Sequence, residues 1–260
     1  MRATNIVLTG LLAMGTHAVE ATAFDQAEDS ETAAAYIQKG QKLFAEKKVE
    51  EARKAFEKAA ELEPDNLIAR VGQFVILLNQ GRPDEGLAIL DKWIEEKPDD
   101  PQRWVGKFHA AAHAKRPKVA LKAVDKLIEL EPAKGEHWVG RGQILTALDR
   151  HKEALEAFDK AIVAVPKHEA AWSNRGGILV HFKKYDEAIK SFSKAIELSP
   201  KWADPWYGRA RAKALLGDTD DALSDLEKAI KLRPGLKNEA SKSADFKSLR
   251  DNEKFKSLTI

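Results

Sequence analysis

His109 and His113 stand four residues apart. On a helix that spacing turns both imidazoles to one side, where they could share a metal ion. The zinc-protease arrangement also needs a glutamate beside the first histidine, and Ala110 is there instead. His181 offers a further imidazole, but no carboxylate is placed with the three. Metal binding is therefore kept as an alternative, with His109 and His113 as its ligands, and contact with a partner is the main reading. Lys107, Arg141, Arg175 and Arg209 recur every 34 residues. Such a ladder could engage an acidic partner, but long cationic stems also pack between helices while their heads meet nearby carboxylates. The second role is expected. The sequence holds no glycine-rich phosphate loop, no nucleophile elbow and no paired-carboxylate arrangement. It also has no cysteine, which excludes disulfides, thiol catalysis and thiolate-held metals. No catalytic residue and no cofactor are expected, and the chain reads as a non-enzyme.

The elements that carry these side chains follow from a period. Pro64, Pro98, Pro132, Pro166, Pro200 and Pro234 are spaced by 34 residues, the mark of a repeat array. The units are 33–66, 67–100, 101–134, 135–168, 169–202 and 203–236. In the fourth, apolar or small residues recur at spacings of three and four from Trp138 to Leu145, then at Ala154, Phe158 and Ala161. Each stretch is one face of a helix, and Asp149-Arg150-His151 makes the polar turn between them. Proline ends each second helix because it disfavours helix at the residue before it. Asp65-Asn66, Asp99-Asp100 before Pro101, and Ser30 or Thr32 supply N-caps.

A large residue at position 4, small at 8, Ala at 20, aromatic at 24, Ala at 27 and Pro at 32 resembles the tetratricopeptide repeat. The fifth unit shows it as Trp172, Gly176, Ala188, Phe192, Ala195 and Pro200. The first shows it as Tyr36, Gly40, Ala52, Phe56, Ala59 and Pro64. The resemblance implies an all-α, right-handed α/α superhelical solenoid of six helix-turn-helix repeats with a C-terminal capping helix. It also implies that the first helices line a concave groove that receives a peptide or protein. The groove positions carry over to Val71 and Val75, then Gln102, Val105, His109 and His113. They continue through Val139 and Gln143, then Ser173, Asn174, Gly177 and His181, and end at Tyr207 and Arg211. The carboxylate clamp of a well-known subgroup is not reproduced, since Asp204 and Gly208 stand where its cations belong. The implied role is a protein-interaction scaffold in an envelope assembly. The alternatives are a metal-binding or enzyme-accessory module using the groove histidines, and a self-assembling array.

The second unit departs from the pattern, with Arg70 at position 4, Phe74 at 8, Gly86 at 20 and Trp93 at 27. Gly86 is expected to offset Trp93, with accommodation favoured over a pocket beside that ring. Residues 237–260 form a cap and tail, with a capping helix over 237–250 and apolar contacts from Phe246, Leu249, Phe255 and Leu258. At the other end, Arg2, an apolar stretch from Ile6 to Met14 and Ala21-Thr22-Ala23 read as a cleaved signal peptide over 1–23. An acidic lead-in over 24–32 follows. The expected location is periplasmic or secreted, as in exported bacterial relatives of the repeat family, with no stable membrane insertion of the mature chain. With 43 basic and 41 acidic residues, the chain lacks the dominant basic face that nucleic-acid binding requires. Protein or peptide is the expected partner, with self-association a further expectation.

Overall fold

The computed structural model describes residues 31–259, and every regular element among them is helical. Six hairpins follow one another: α1 (Ala33–Ala45) with α2 (Val49–Leu62), α3 (Leu67–Asn79) with α4 (Pro83–Glu96), and α5 (Pro101–His113) with α6 (Pro117–Leu130). Then come α7 (Gly135–Ala147) with α8 (His151–Ala164), α9 (Glu169–His181) with α10 (Tyr185–Leu198), and α11 (Ala203–Leu216) with α12 (Thr219–Leu232). Three of the starts show why they begin where they do. The Thr32 hydroxyl accepts from the Ala35 amide at 3.2 Å, Asn66 Oδ1 from Ile68 and Ala69 at 3.0 and 3.1 Å, and Asp100 Oδ1 from Gln102 at 2.9 Å. Each fills orphan donors of a first turn. Pro83, Pro101 and Pro117 open their helices, where no amide hydrogen is needed.

All six hairpin turns share one backbone device. A residue just past the first helix, the second after it in five hairpins and the first in the last, is left-handed: Lys47 (φ 64°), Gly81 (76°), Lys115 (54°), Asp149 (57°), Lys183 (58°) and Gly217 (100°). The next amide then donates back across the turn, as from Lys48 to the Leu43 carbonyl and from Lys184 to that of Leu179, both at 2.9 Å. Glycine occupies two of the six sites, so composition alone hides the feature.

The chain divides into two compact units, one ending at Glu131 and one beginning at Pro132. In the first, α1, α3 and α5 form a row in which neighbours touch, and α2 and α4 each wedge between their own first helix and the next. The Phe56 ring shows how close the approach is. It is fully buried, and a Cβ on Gly40 or Gly72 would lie 3.0 or 2.4 Å from it. The second unit repeats the plan with α7, α9 and α11 in the row.

A hydrogen bond recurs from hairpin to hairpin in both units. The indole N–H of Trp104, Trp138, Trp172 and Trp206 donates to the carbonyl of Pro98, Pro132, Pro166 and Pro200, at 2.7, 3.0, 2.9 and 3.1 Å. Arg70 occupies the equivalent place in the second hairpin, and its Nε donates to the Pro64 carbonyl at 3.2 Å. The departure at position 4 thus preserves the donor while changing the ring.

Trp93 is accommodated differently from the sequence expectation. Gly86 makes room for Phe74, whose ring would be 2.8 Å from an added Cβ, rather than for Trp93. Arg103 is what covers the indole: it is fully buried with its guanidinium carbon 4.9 Å from the ring centroid. That guanidinium donates to the Trp93 carbonyl, to Asp65 and, at 3.2 Å, to Glu96. A buried charge is tolerated only with such a set of partners.

The C-terminal helix expected over 237–250 is broken. α13 (Leu236–Lys242) stops at Ser243, whose ψ of 134° is extended and whose hydroxyl caps a 3-10 turn over Ala244–Leu249. A last helix, α14 (Glu253–Thr259), follows. The expected contacts hold: Phe246, Leu249 and Phe255 are buried with Ala222, Leu223 and Leu226, and Leu258 packs against them. Among the described residues no helix is long and apolar enough to cross a membrane. The signal peptide expected over 1–23 lies outside the described residues.

Candidate functional site

The first-helix row of each unit is where the expected partner-contacting residues fall, and burial sorts them. In the second unit, Val139 and Ser173 are buried, so their side chains pack between helices and present little to an outside molecule. Gln143, Gly177 and His181 are exposed, and Asn174 is half-buried. These four lie on adjacent helices, α7 and α9. Gly177 differs from its neighbour Gly176. A Cβ on Gly176 would be 2.8 Å from the Phe192 ring, whereas one on Gly177 would meet nothing within 4 Å. The helix face is therefore open at Gly177 with no packing partner to account for the missing side chain.

Tyr207 and Arg211 lie on α11, where the chain's own C-terminal turn reaches them. Tyr207 meets Phe246 edge-on at 5.6 Å, and Arg211 pairs with Asp245 at 2.5 Å. Burial pushes the Tyr207 phenol up from its ordinary value against the opposing charge of Arg211. Sequence periodicity alone could not show this cover, because the segment that provides it lies outside the repeat.

In the first unit, Val71 and Val75 are buried at 4% and 1% exposure, which places them in the core. Gln102 is exposed and Val105 half-buried. The His109 ring packs on Phe108 at 4.9 Å. His113 is at the surface, yet partial desolvation holds its imidazole below the ordinary value. Among the described residues no three His, Cys, Asp or Glu side chains form a metal-holding group. His181 has an imidazole neighbour the sequence reading did not select: the His151 ring, 3.9 Å away.

The cationic ladder is engaged within the protein. Lys107 pairs with Asp91, and Arg175 with Asp159 at 2.6 Å and with the Ser191 hydroxyl at 2.8 Å. Arg209 grips both oxygens of Asp225 at 2.7 Å and donates to Ser193 at 2.9 Å. Arg175 thus takes its carboxylate from the preceding hairpin and its hydroxyl from its own, while Arg209 does the reverse. The guanidinium of Arg209 also lies over Trp206, 5.0 Å from the ring centroid. These groups fix the packing of hairpin on hairpin.

Two family models, each described as tetratricopeptide repeat, match the chain: one over residues 43–106, the other over 106–169, 150–203 and 184–237. No curated protein sequence matches. Among solved structures, the pilF protein of Pseudomonas aeruginosa is similar with a TM-score of 0.60 at 17% identity, over 84% of this chain and 96% of that one. YrrB, described as a TPR protein with an unusual peptide-binding site, gives 0.53 at 24% identity over 69% and 93%. MamA gives 0.56 at 18% over 61% and 93%. At these identities the likeness is one of fold.

Proposed function

The chain belongs to the tetratricopeptide repeat family, and from that premise we propose that it is a non-catalytic scaffold that holds a peptide or protein partner. The partner lies along the first-helix row of the second unit, where it contacts Gln143, Asn174, Gly177 and His181. The carrying observation is the open position at Gly177. A glycine inside a helix costs about 0.5–1 kcal/mol relative to alanine. Gly176 has a packing reason for bearing that cost and Gly177 has none. Room for a ligand backbone, flanked by the amides of Gln143 and Asn174, is a sufficient reason. YrrB, similar in fold, is described as having a peptide-binding site, which agrees with this reading.

We further propose that the scaffold is exported and serves an assembly of the cell envelope. The support is the N-terminal sequence, where Arg2, the apolar stretch from Ile6 to Met14 and Ala21-Thr22-Ala23 read as a cleavable signal. Site-specific photocrosslinking in cells tests both proposals. Probes at Gln143 and Asn174 should capture a partner that a probe at the exposed second-helix residue Val163 does not, and Gly177→Leu should abolish capture. Capture from Val163 alone would refute the site. Fractionation that finds the chain unprocessed and cytosolic would refute export.

A further inference from the structure

The four indoles that bond to a proline carbonyl differ in what lies over their rings. Lys107 Nζ stands 5.6 Å from the Trp104 ring centroid, Lys160 Nζ 4.6 Å from that of Trp138, and the Arg209 guanidinium 5.0 Å from that of Trp206. All three are within cation–π reach. Among the described residues no cation covers Trp172. The two places that supply one elsewhere hold Arg175 and Lys194, and both are drawn aside. Arg175 turns to Asp159 and Ser191, and Lys194 to Glu197 at 2.8 and 2.9 Å. An open cleft of about 400 Å³ takes the cation's place, bordered by Trp172, Arg175, Lys190, Ser191 and Lys194. Its rim has binding capacity to spare. Ser191 stands where the sixth hairpin has Asp225. Arg209 spends three nitrogens on its partners and Arg175 only two, so one terminal nitrogen of Arg175 is left for a ligand. Lys190, where the flanking hairpins have Glu156 and Ser224, is exposed and has no ion pair among the described residues. Glu187, also on the rim, is paired with Lys184 at 3.1 Å.

We propose that this cleft holds a peptide segment in which an acidic residue adjoins an aromatic one. Three cations face the cleft, and its one carboxylate is already neutralised by Lys184. A negative ligand is therefore favoured, and a cationic one is repelled from the indole. The uncovered indole accepts a ring, edge-on or offset. The chain shows the pairing on itself. On α11 the cation and ring of Arg211 and Tyr207 are taken up by the successive residues Asp245 and Phe246, with the ion pair at 2.5 Å and the rings edge-on at 5.6 Å. In the cleft the carboxylate goes to Arg175 and Lys190, and the ring to Trp172. With about 3.6 residues to a turn, Trp172 and Arg175 lie on the side of α9 opposite Asn174 and Gly177. The cleft is thus distinct from the first-helix row, and each surface stands or falls alone.

The full chain is titrated with a hexapeptide centred on Asp-Phe, its ends acetylated and amidated to remove terminal charge, while the indole N–H signals are followed by nuclear magnetic resonance. The Trp172 signal should shift most, saturating with Kd on the order of 100 µM. Replacing Asp by Asn, or Phe by Ala, in the peptide should each weaken binding at least about threefold. Trp172→Leu should weaken it likewise. Trp138→Leu, which loses the same carbonyl bond from a ring that Lys160 already covers, should not. Lys190→Glu changes an exposed side chain without an ion pair, so the variant keeps the fold, and it should weaken binding about tenfold. Equal binding of the three peptides, undiminished binding to Lys190→Glu, or a Trp172 signal that stays in place would overturn the proposal. So would inorganic phosphate displacing the peptide at equal concentration, which would leave a plain anion site. A Trp172 shift on raising the chain concentration alone would give the cleft to a second copy and overturn it too.

Discussion

Gly176 and Gly177 are neighbours on one helix, and replacing each by alanine should leave the first variant clearly less stable than the second. At Gly176 the new methyl would lie 2.8 Å from the Phe192 ring, which packs closely on Gly208 as well, where an added Cβ would be 2.5 Å from it. Overpacking of this kind costs about 1–3 kcal/mol. At Gly177 the methyl meets nothing within 4 Å. The substitution there removes only the helix penalty of glycine, a gain of about 0.8–1 kcal/mol. Alanine removes the same helix penalty at Gly176, so the two variants, identical in composition, should differ by the overpacking alone, about 1–3 kcal/mol. Urea unfolding followed by circular dichroism measures both from their midpoints at unchanged slope. A destabilised Gly177→Ala, or a Gly176→Ala as stable as Gly177→Ala, would refute the reasoning. If Gly177 is kept for a ligand, larger residues there should cost partner capture while leaving the fold intact, the usual conflict between stability and function.

Three further outcomes are expected. Arg103→Ala should cost about 3–5 kcal/mol, through the space left over Trp93 and an orphaned carbonyl, while Arg103→Met, which keeps the volume, should recover about half; equal losses in chemical denaturation would assign the effect to charge alone. Lys183→Gly should stabilise by up to about 1 kcal/mol, because a side chain at φ 58° is strained and glycine is not; a lower midpoint would refute the strain. Asp65 is held below its ordinary pKa by Lys97 and then Arg103, so its folded value is lower than its unfolded one. Its contribution is complete above the unfolded pKa and is lost as pH falls through the folded one, below about pH 4. Thermal midpoints measured from pH 6 to 2 should fall less steeply in Asp65→Asn, and an identical fall would show that Asp65 does not contribute.

The hairpins were legible because their causes are local. Proline, cap residues and small-large alternation act within one repeat, and Ala52, Phe56 and Ala59 are buried as that pattern requires. What could not be read depends on neighbours in space. The partnership of Arg103 with Trp93 joins two hairpins, and Gly86 serves Phe74 although Trp93 is the more conspicuous misfit. Four of the expected contact residues, Val71, Val75, Val139 and Ser173, are buried because a first helix packs on helices to either side, which narrows its free face. Tyr207 and Arg211 are engaged by a turn that no repeat pattern anticipates. Left-handed residues at four non-glycine turns were invisible for the opposite reason: lysine and aspartate carry no compositional mark of positive φ.

The recurring indole bond puts a reporter of unravelling at the same place in four hairpins. Trp104, Trp138, Trp172 and Trp206 make the same bond, one per successive hairpin, each tied to the turn before it. In repeat arrays each unit contacts only its neighbours, so opening can begin at an end and progress inward. Chains retaining one of these tryptophans at a time would emit from one known hairpin. Differences in their transition midpoints would then report the order in which hairpins let go.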